Sequence, residues 1–437
     1  MGKITLRLVA VMLTMSVLLS GCMIKTMDEL YSLPERSEDY NDLQSAINQV
    51  MGGLEYSAPI QGENQQTVQL ADLTGDGTAE AILFAKGSGE MNLKIFVFAK
   101  RDGVYTNIAS MEFPGTAFEQ VEYGNIDQRP GQELVVGRQM GNEVLHALSV
   151  YSFATGAQET ILTAGYTRFL TVDLNADGAQ DVFILRPGGD EASGVAELYC
   201  HANGQIERSN EAAMSMPVDR LKRIATGGMC RGTQAVFVAS NYDEDTIITD
   251  VYTVVDGRFT NVSLSTESGT SVKTMRNYYV YGDDLDGDGL IELPALVERQ
   301  EVTGEVPQDF IRWYNLTTTG DEIDKVFTYH NYNEHWFVHL DKAWMQSIQV
   351  TRGNERAGIF GYVFSLNDRE LFTIYAFTGN GRTVNAKSGG LFVLSETNEV
   401  TYGAALGSLA RSEGITEDNL IQRFNFIQED WKTGETA

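Results

Sequence analysis

Three short stretches set oxygen-bearing side chains at alternate positions of a tight, glycine-containing loop: DLTGDGTAE at 72–80, DLNADGAQD at 173–181 and DLDGDGLIE at 284–292. The odd positions carry Asp72, Thr74, Asp76 and Glu80 in the first, Asp173, Asn175, Asp177 and Asp181 in the next, and Asp284, Asp286, Asp288 and Glu292 in the last. Position seven (Thr78, Ala179, Leu290) would add a backbone carbonyl, and Gly77, Gly178 and Gly289 permit the sharp turn. Oxygen atoms converging in this way suit a hard cation that takes six to eight oxygen ligands. Several carboxylates crowded into one tight loop also repel each other unless a cation is present. The helix-loop-helix calcium hand is not the match: it needs a bidentate Glu at position twelve, where these loops have Leu83, Ile184 and Ala295. Here the last acid falls at position nine and an apolar strand follows at once.

Two related units depart from the pattern. In NIDQRPGQE, 125–133, Arg129 occupies the fifth position, where its guanidinium can stand in for the charge of an ion; in TGGMCRGTQ, 226–234, no carboxylate remains. Both are expected to be metal-free. The nine-residue pattern resembles the calcium loops of integrin-alpha-like propellers, the FG-GAP and VCBS repeat families, over roughly residues 64–330. That resemblance implies structural calcium at up to three loops, held by the odd-position residues named above. It implies no catalysis by the metal, since every coordinating position is used.

These loops need strands to hold them. Aligned on their first positions, Asp72, Asn125, Asp173, Thr226 and Asp284, the five units are separated by 53, 48, 53 and 58 residues. A second landmark keeps step: glycine turns at Gly103, Gly156, Gly204, Gly257, Gly320 and Gly381, each after a run rich in Tyr, Phe and Val. A period near 50 residues with about four short strands per unit predicts a mainly β chain, a β-propeller of about six or seven four-stranded blades. The alternative is a five-unit β repeat domain followed by a small C-terminal α+β domain.

The ends read differently. Leu43, Ile47 and Met51 recur at helical spacing before Gly52 and Gly53, predicting a short N-terminal helix. Leu420, Phe424 and Ile427 share a helical face near the C-terminus. At the start, Lys3 and Arg7 precede an apolar run from Leu8 to Leu19, and LSGC follows at 19–22. This resembles the bacterial lipobox, in which cleavage leaves Cys22 as the lipid-bearing first residue; the run is shorter than the roughly 20 residues a spanning helix needs. The expected order is therefore a signal peptide at 1–21, a lipidated Cys22 with tether and short helix at 22–63, propeller repeats at 64–334, and a diverged last blade or small domain at 335–437.

Charge narrows the partners. The chain carries a formal net charge of -28, and loss of residues 1–21 removes two basic residues and no acid. Such a surface repels phosphate backbones and anionic headgroups, so nucleic acid is excluded as a partner and membrane attachment falls to the lipid. Cys200 and Cys230 either pair outside the cytoplasm or act as small buried residues. No nucleophile elbow, Walker loop, zinc hydrolase signature or dinucleotide fingerprint is present. His330, His335 and His339 form the one histidine cluster, without the spacing of a zinc site. The expected function is that of an extracytoplasmic, membrane-anchored binding module with a protein, peptide or glycan ligand. The alternative is a propeller-fold polysaccharide hydrolase or lyase, which a carboxylate pair in a deep pocket would favour.

Overall fold

The computed structural model describes residues 38–141, 146–189, 193–244, 246–276, 280–297, 309–356 and 359–428. The signal peptide and Cys22 lie outside them. Runs without polar alternation become strands buried on both faces: Glu80–Lys86 is buried at its first six positions, and Asp181–Pro187 at its first five. Strands of that kind require cover on both sides. The chain supplies it by stacking sheet on sheet.

Six antiparallel sheets of four or five strands follow one another along the sequence. The second is the plain form, with strands Ala117–Gly124, Glu133–Gln139, His146–Ser152 and Glu159–Tyr166 paired in sequence order. The third (Arg168–Val172 to Gln205–Ala213) and fourth (Leu221–Cys230 to Arg258–Asn261) repeat it. The first adds the two-residue strand Glu55–Tyr56 beside Glu80–Lys86. The fifth pairs Glu322–Asn331 with Trp336–Leu340 across the expected boundary at 334/335 and is completed by Phe424–Phe426 from the chain end. The sixth runs from Ile348–Arg356 to Val400–Leu406, with Phe392–Glu396 at its edge.

Core clusters join each sheet to the next. Phe84 and Leu93 of the first meet Phe118 and Leu134 of the second, and Val150 of the second meets Val182 of the third. Phe183 then packs with Tyr252, Phe237 with Tyr314, and Tyr329 with Phe364. Among the described residues no strand pairing or core cluster joins the first sheet to the sixth. Helices cover the two remaining faces. Helix α1, Glu38–Val50, lays Ala46 and Ile47 on Ala81, Leu83 and Phe98 of the first sheet. Helix α2, Arg382–Ala386, lays Ala386 on Tyr375, Phe377 and Ala405 of the sixth.

The turns explain the register. Asp102-Gly103, Asn203-Gly204 and Asp256-Gly257 each have positive φ at both residues, the twist-compatible form of a two-residue hairpin. Gly381 is different: at φ 86 it precedes α2 and forms no hairpin, and the tight turn of the sixth sheet is Asn367-Asp368. The C-terminal helix, α3, spans only Glu417–Arg423, capped by Thr416 and Asn419; Phe424 and Phe426 continue as a strand that stacks on Tyr402. Cys200 and Cys230 are both free thiols.

Candidate metal centres

The four loops at 72–80, 125–133, 173–181 and 284–292 share one backbone design. The acid at position nine reaches back seven residues to accept the N–H of position two: Glu80 from Leu73 at 2.8 Å, Glu133 from Ile126 at 2.7 Å, Asp181 from Leu174 at 3.0 Å and Glu292 from Leu285 at 3.0 Å. Position two is apolar because its side chain plugs the core beneath, with Leu73, Ile126 and Leu174 all buried. Position four is left-handed in every copy, with φ of 73, 61, 58 and 75 at Gly75, Gln128, Ala176 and Gly287. At position one, Asp72, Asp173 and Asp284 accept the N–H of position six. The carboxylates at position five, Asp76, Asp177 and Asp288, accept from the N–H of Thr78, Ala179 and Leu290. These backbone bonds shape the loop and leave carboxylate lone pairs over for an ion.

Convergence is tightest in the last loop. One oxygen from each of Asp284, Asp286 and Glu292 lies within 4.8 Å of the others, so the cluster could hold a metal ion. Ligands bound at about 2.3–2.6 Å stand at most about 5 Å apart across an ion, so an all-oxygen set at this spacing fits a hard cation. In the other two acidic loops position three is a neutral side chain lying against the same acid: Thr74 donates to Glu80 at 3.2 Å, and Asn175 to Asp181 at 3.4 Å. Among the described residues, only the last loop brings three carboxylates together; the other two carry one acid fewer.

Electrostatics register the crowding. Burial pushes the Glu292 carboxyl up to about 7; the Leu285 N–H and the Asn315 amide oppose the shift, and repulsion from Asp286 and Asp288 adds to it. Burial likewise pushes Asp181 up to about 6, with the Cys200 thiol and the Leu174 N–H opposing and Asp177 adding. Glu80 is raised for the same reason. A cation in the loop would relieve each of these repulsions. Part of that role is already filled in the last loop by Lys325 of strand Glu322–Asn331, whose ammonium lies 2.6 Å from Asp288 and 4.0 Å from Asp286. No feature of the sequence marked Lys325, which is 37 residues from its partner.

The divergent units behave as their residues require. Arg129 fills the second loop, with its Nε and Nη2 at 2.8 and 2.7 Å from Asp127 Oδ2 and Nη2 also 3.1 Å from Glu159. The fourth unit has no loop at all: strands Leu221–Cys230 and Thr233–Asn241 meet at a two-residue turn ending in Gly232. Backbone bonds nevertheless tie the copies edge to edge. The N–H of position eight donates to the preceding unit from Gln132 to Asp72, from Gln180 to Asn125 and from Ile291 to Gly228, at 2.7–2.8 Å. Gly75 packs so closely on the next loop that a Cβ there would lie 2.4 Å from the Pro130 carbonyl carbon. The first three loops therefore lie edge to edge, and the last lies against the turn of the fourth unit.

Other chemistry-bearing residues are placed less suggestively. His330 is fully buried in a stack with Trp313 and Phe337, while His335 is exposed at a turn with φ 59; the three histidines form no ligand set. A buried Glu119 receives both His146 and Tyr166, a grouping the sequence did not announce because it comes from three strands. Tyr166 is 1% exposed, which closes that cluster to a polymer. A cleft of about 640 Å³ opens between the second and third sheets and contains two carboxylates, Asp127 and Glu159. Arg129 bridges them. Against the burial that raises it, Asp127 is held below its ordinary range by Arg129, the reverse of what a general acid needs.

The chain matches no family model and no curated protein. Among solved structures it is similar to the rhamnogalacturonan lyase YesW, at 10% identity and a TM-score of 0.33, covering 72% of this chain and 75% of that one. It is also similar to the exotype rhamnogalacturonan lyase YesX, at 12% identity and a TM-score of 0.28, covering 75% and 67%. Likeness at this level carries no argument about activity.

Proposed function

We propose that this protein is a lipid-anchored, extracytoplasmic binding module whose six sheets are the blades of a calcium-stapled β-propeller. The carrying observation is the convergence of Asp284, Asp286 and Glu292 within 4.8 Å in one member of a loop series with a common backbone. An oxygen-only donor set with no nitrogen or sulfur ligand favours calcium over zinc or copper, and the many positions per loop favour it over magnesium. In this reading α1 and α2 fill the seam between the first and last blades, and Cys22 carries the anchor. Calcium would fix loop geometry and hold neighbouring blades in register; the rim and the clefts between blades present the ligand-binding surface.

Differential scanning calorimetry tests the metal. Calcium at 100 times its dissociation constant adds about 2.7 kcal/mol per independent site, so millimolar calcium should raise the melting temperature and a chelator should reverse the rise. Glu292→Gln should reduce the calcium-dependent shift. Superimposable melting curves in calcium and in chelator would overturn the calcium reading. Mass spectrometry of the mature amino terminus tests the anchor, and an unmodified Cys22 would overturn that part.

A further inference from the structure

A cleft lies beside the second loop, where the repeat replaces an acid by Arg129. Its volume, about 640 Å³, falls in the range of small-ligand sites. One wall is the Asp127–Arg129–Glu159 bridge, which brings two carboxylates and a guanidinium together from a loop and an edge strand. His201, from the third sheet, lines the cleft with them. Gln128 lines it too, at φ 61 in the left-handed region. Its counterparts in the first and last loops are Gly75 and Gly287, which adopt that conformation without strain, and in the third loop Ala176, which adopts it at φ 58 but brings no polar group. A glutamine there costs stability that glycine would not, and what it adds is an exposed amide at the cleft.

We infer that this cleft is a binding site for a neutral glycan. Paired planar groups with both donors and acceptors suit adjacent sugar hydroxyls, and the cleft's fixed charges, two carboxylates against one guanidinium, provide no net attraction for an acidic sugar. The -28 charge of the chain opposes a polyanion further. An extended peptide is less well matched, because peptide grooves rely on apolar pockets and only Ile161 and Ile206 supply apolar lining. The inference rests on the binding-module reading and not on calcium, since the second loop holds its own cation.

The test is titration calorimetry of the full chain, in a detergent without a sugar headgroup, against neutral tetraoses of glucose, mannose, xylose and galactose and against tetragalacturonate. At least one neutral tetraose should bind with a dissociation constant below about 1 mM, and tetragalacturonate should bind at least about tenfold more weakly than it. Gln128→Gly, which relieves the backbone, and Glu159→Gln should each weaken binding about tenfold while the calcium-dependent melting shift stays as in the parent. Absence of binding by every neutral tetraose, a preference for tetragalacturonate, or undiminished binding in both variants would each overturn the inference. Loss of the calcium shift in the parent with sugar binding intact would instead overturn only the metal.

Discussion

Asp250 has no exposed surface, and its carboxylate takes hydrogen bonds from the Ser215 N–H and hydroxyl, the Ser271 hydroxyl and the Asn261 amide. Burial raises its pKa, and those donors pull it back. Removing it strands several buried donors at once, so Asp250→Ala should lower unfolding free energy by about 3 kcal/mol or more in urea denaturation. A buried histidine, His330, and a half-buried one, His339, give a pH dependence. Burial lowers His330 to about 3 and His339 to about 4, with His339 and Arg423 respectively adding repulsion. Both folded values lie below the unfolded one, so the unfolded chain binds more protons between them. Stability should therefore fall as pH drops below about 6.5, with a slope of up to about 1.4 kcal/mol per pH unit from each histidine. His330→Phe should remove its share of that slope. The spacing told against a metal site, yet it did not show that His330 would lie in the core, because burial of an imidazole depends on what neighbouring strands bring over it.

At the scale of elements, the loops were the most legible part of the chain. Backbone hydrogen bonds tie the odd positions to residues only a few places away, so spacing alone located each loop, and Arg129 announced its own role by replacing an acid. Contacts between elements left no such trace. Lys325 competes for the last loop from another strand, so Lys325→Met should tighten calcium there by up to about fivefold, the equivalent of the ~1 kcal/mol ceiling of an exposed ion pair. Calorimetric titration of the parent and the variant compares the two affinities, and an unchanged constant would show that the ammonium does not compete. Gly381 illustrates the opposite error: a glycine with positive φ serves a hairpin or a helix entry equally well, and only the α2 contacts with Tyr375 and Phe377 decide between them. The C-terminal periodicity misled for a related reason. Phe424 lies on the extended helical face of Leu420, yet pairing with Val338 draws it into the fifth sheet.

For the whole molecule, the repeat period predicted the number and order of the sheets better than how the ends meet. Four strands per unit is a local property, whereas closure depends on residues some 300 positions apart. The two end faces carry α1 and α2, and the proposed propeller brings these helices together across a seam. Spin labels at Gln49→Cys and Val384→Cys, in a chain with Cys200 and Cys230 replaced by serine, measure that separation. Closure should place them within about 30 Å, while an open stack of six sheets spaced ~10 Å apart, with a helix layer on each outer face, would leave them well over about 50 Å apart.

The edge-to-edge bonds between units have a consequence for how such a chain can change. Gln132, Gln180 and Ile291 reach the preceding unit through their main-chain N–H, which any residue but proline possesses. The link from Ile291 ends on Gly228 in a unit that has lost every acid, and it is as short as the others. Mechanical continuity is thus written in the backbone, while ion binding is written in the side chains. A copy can trade an acid for an arginine and still donate the link, as the second unit does, or shrink to a plain turn and still accept one, as the fourth does.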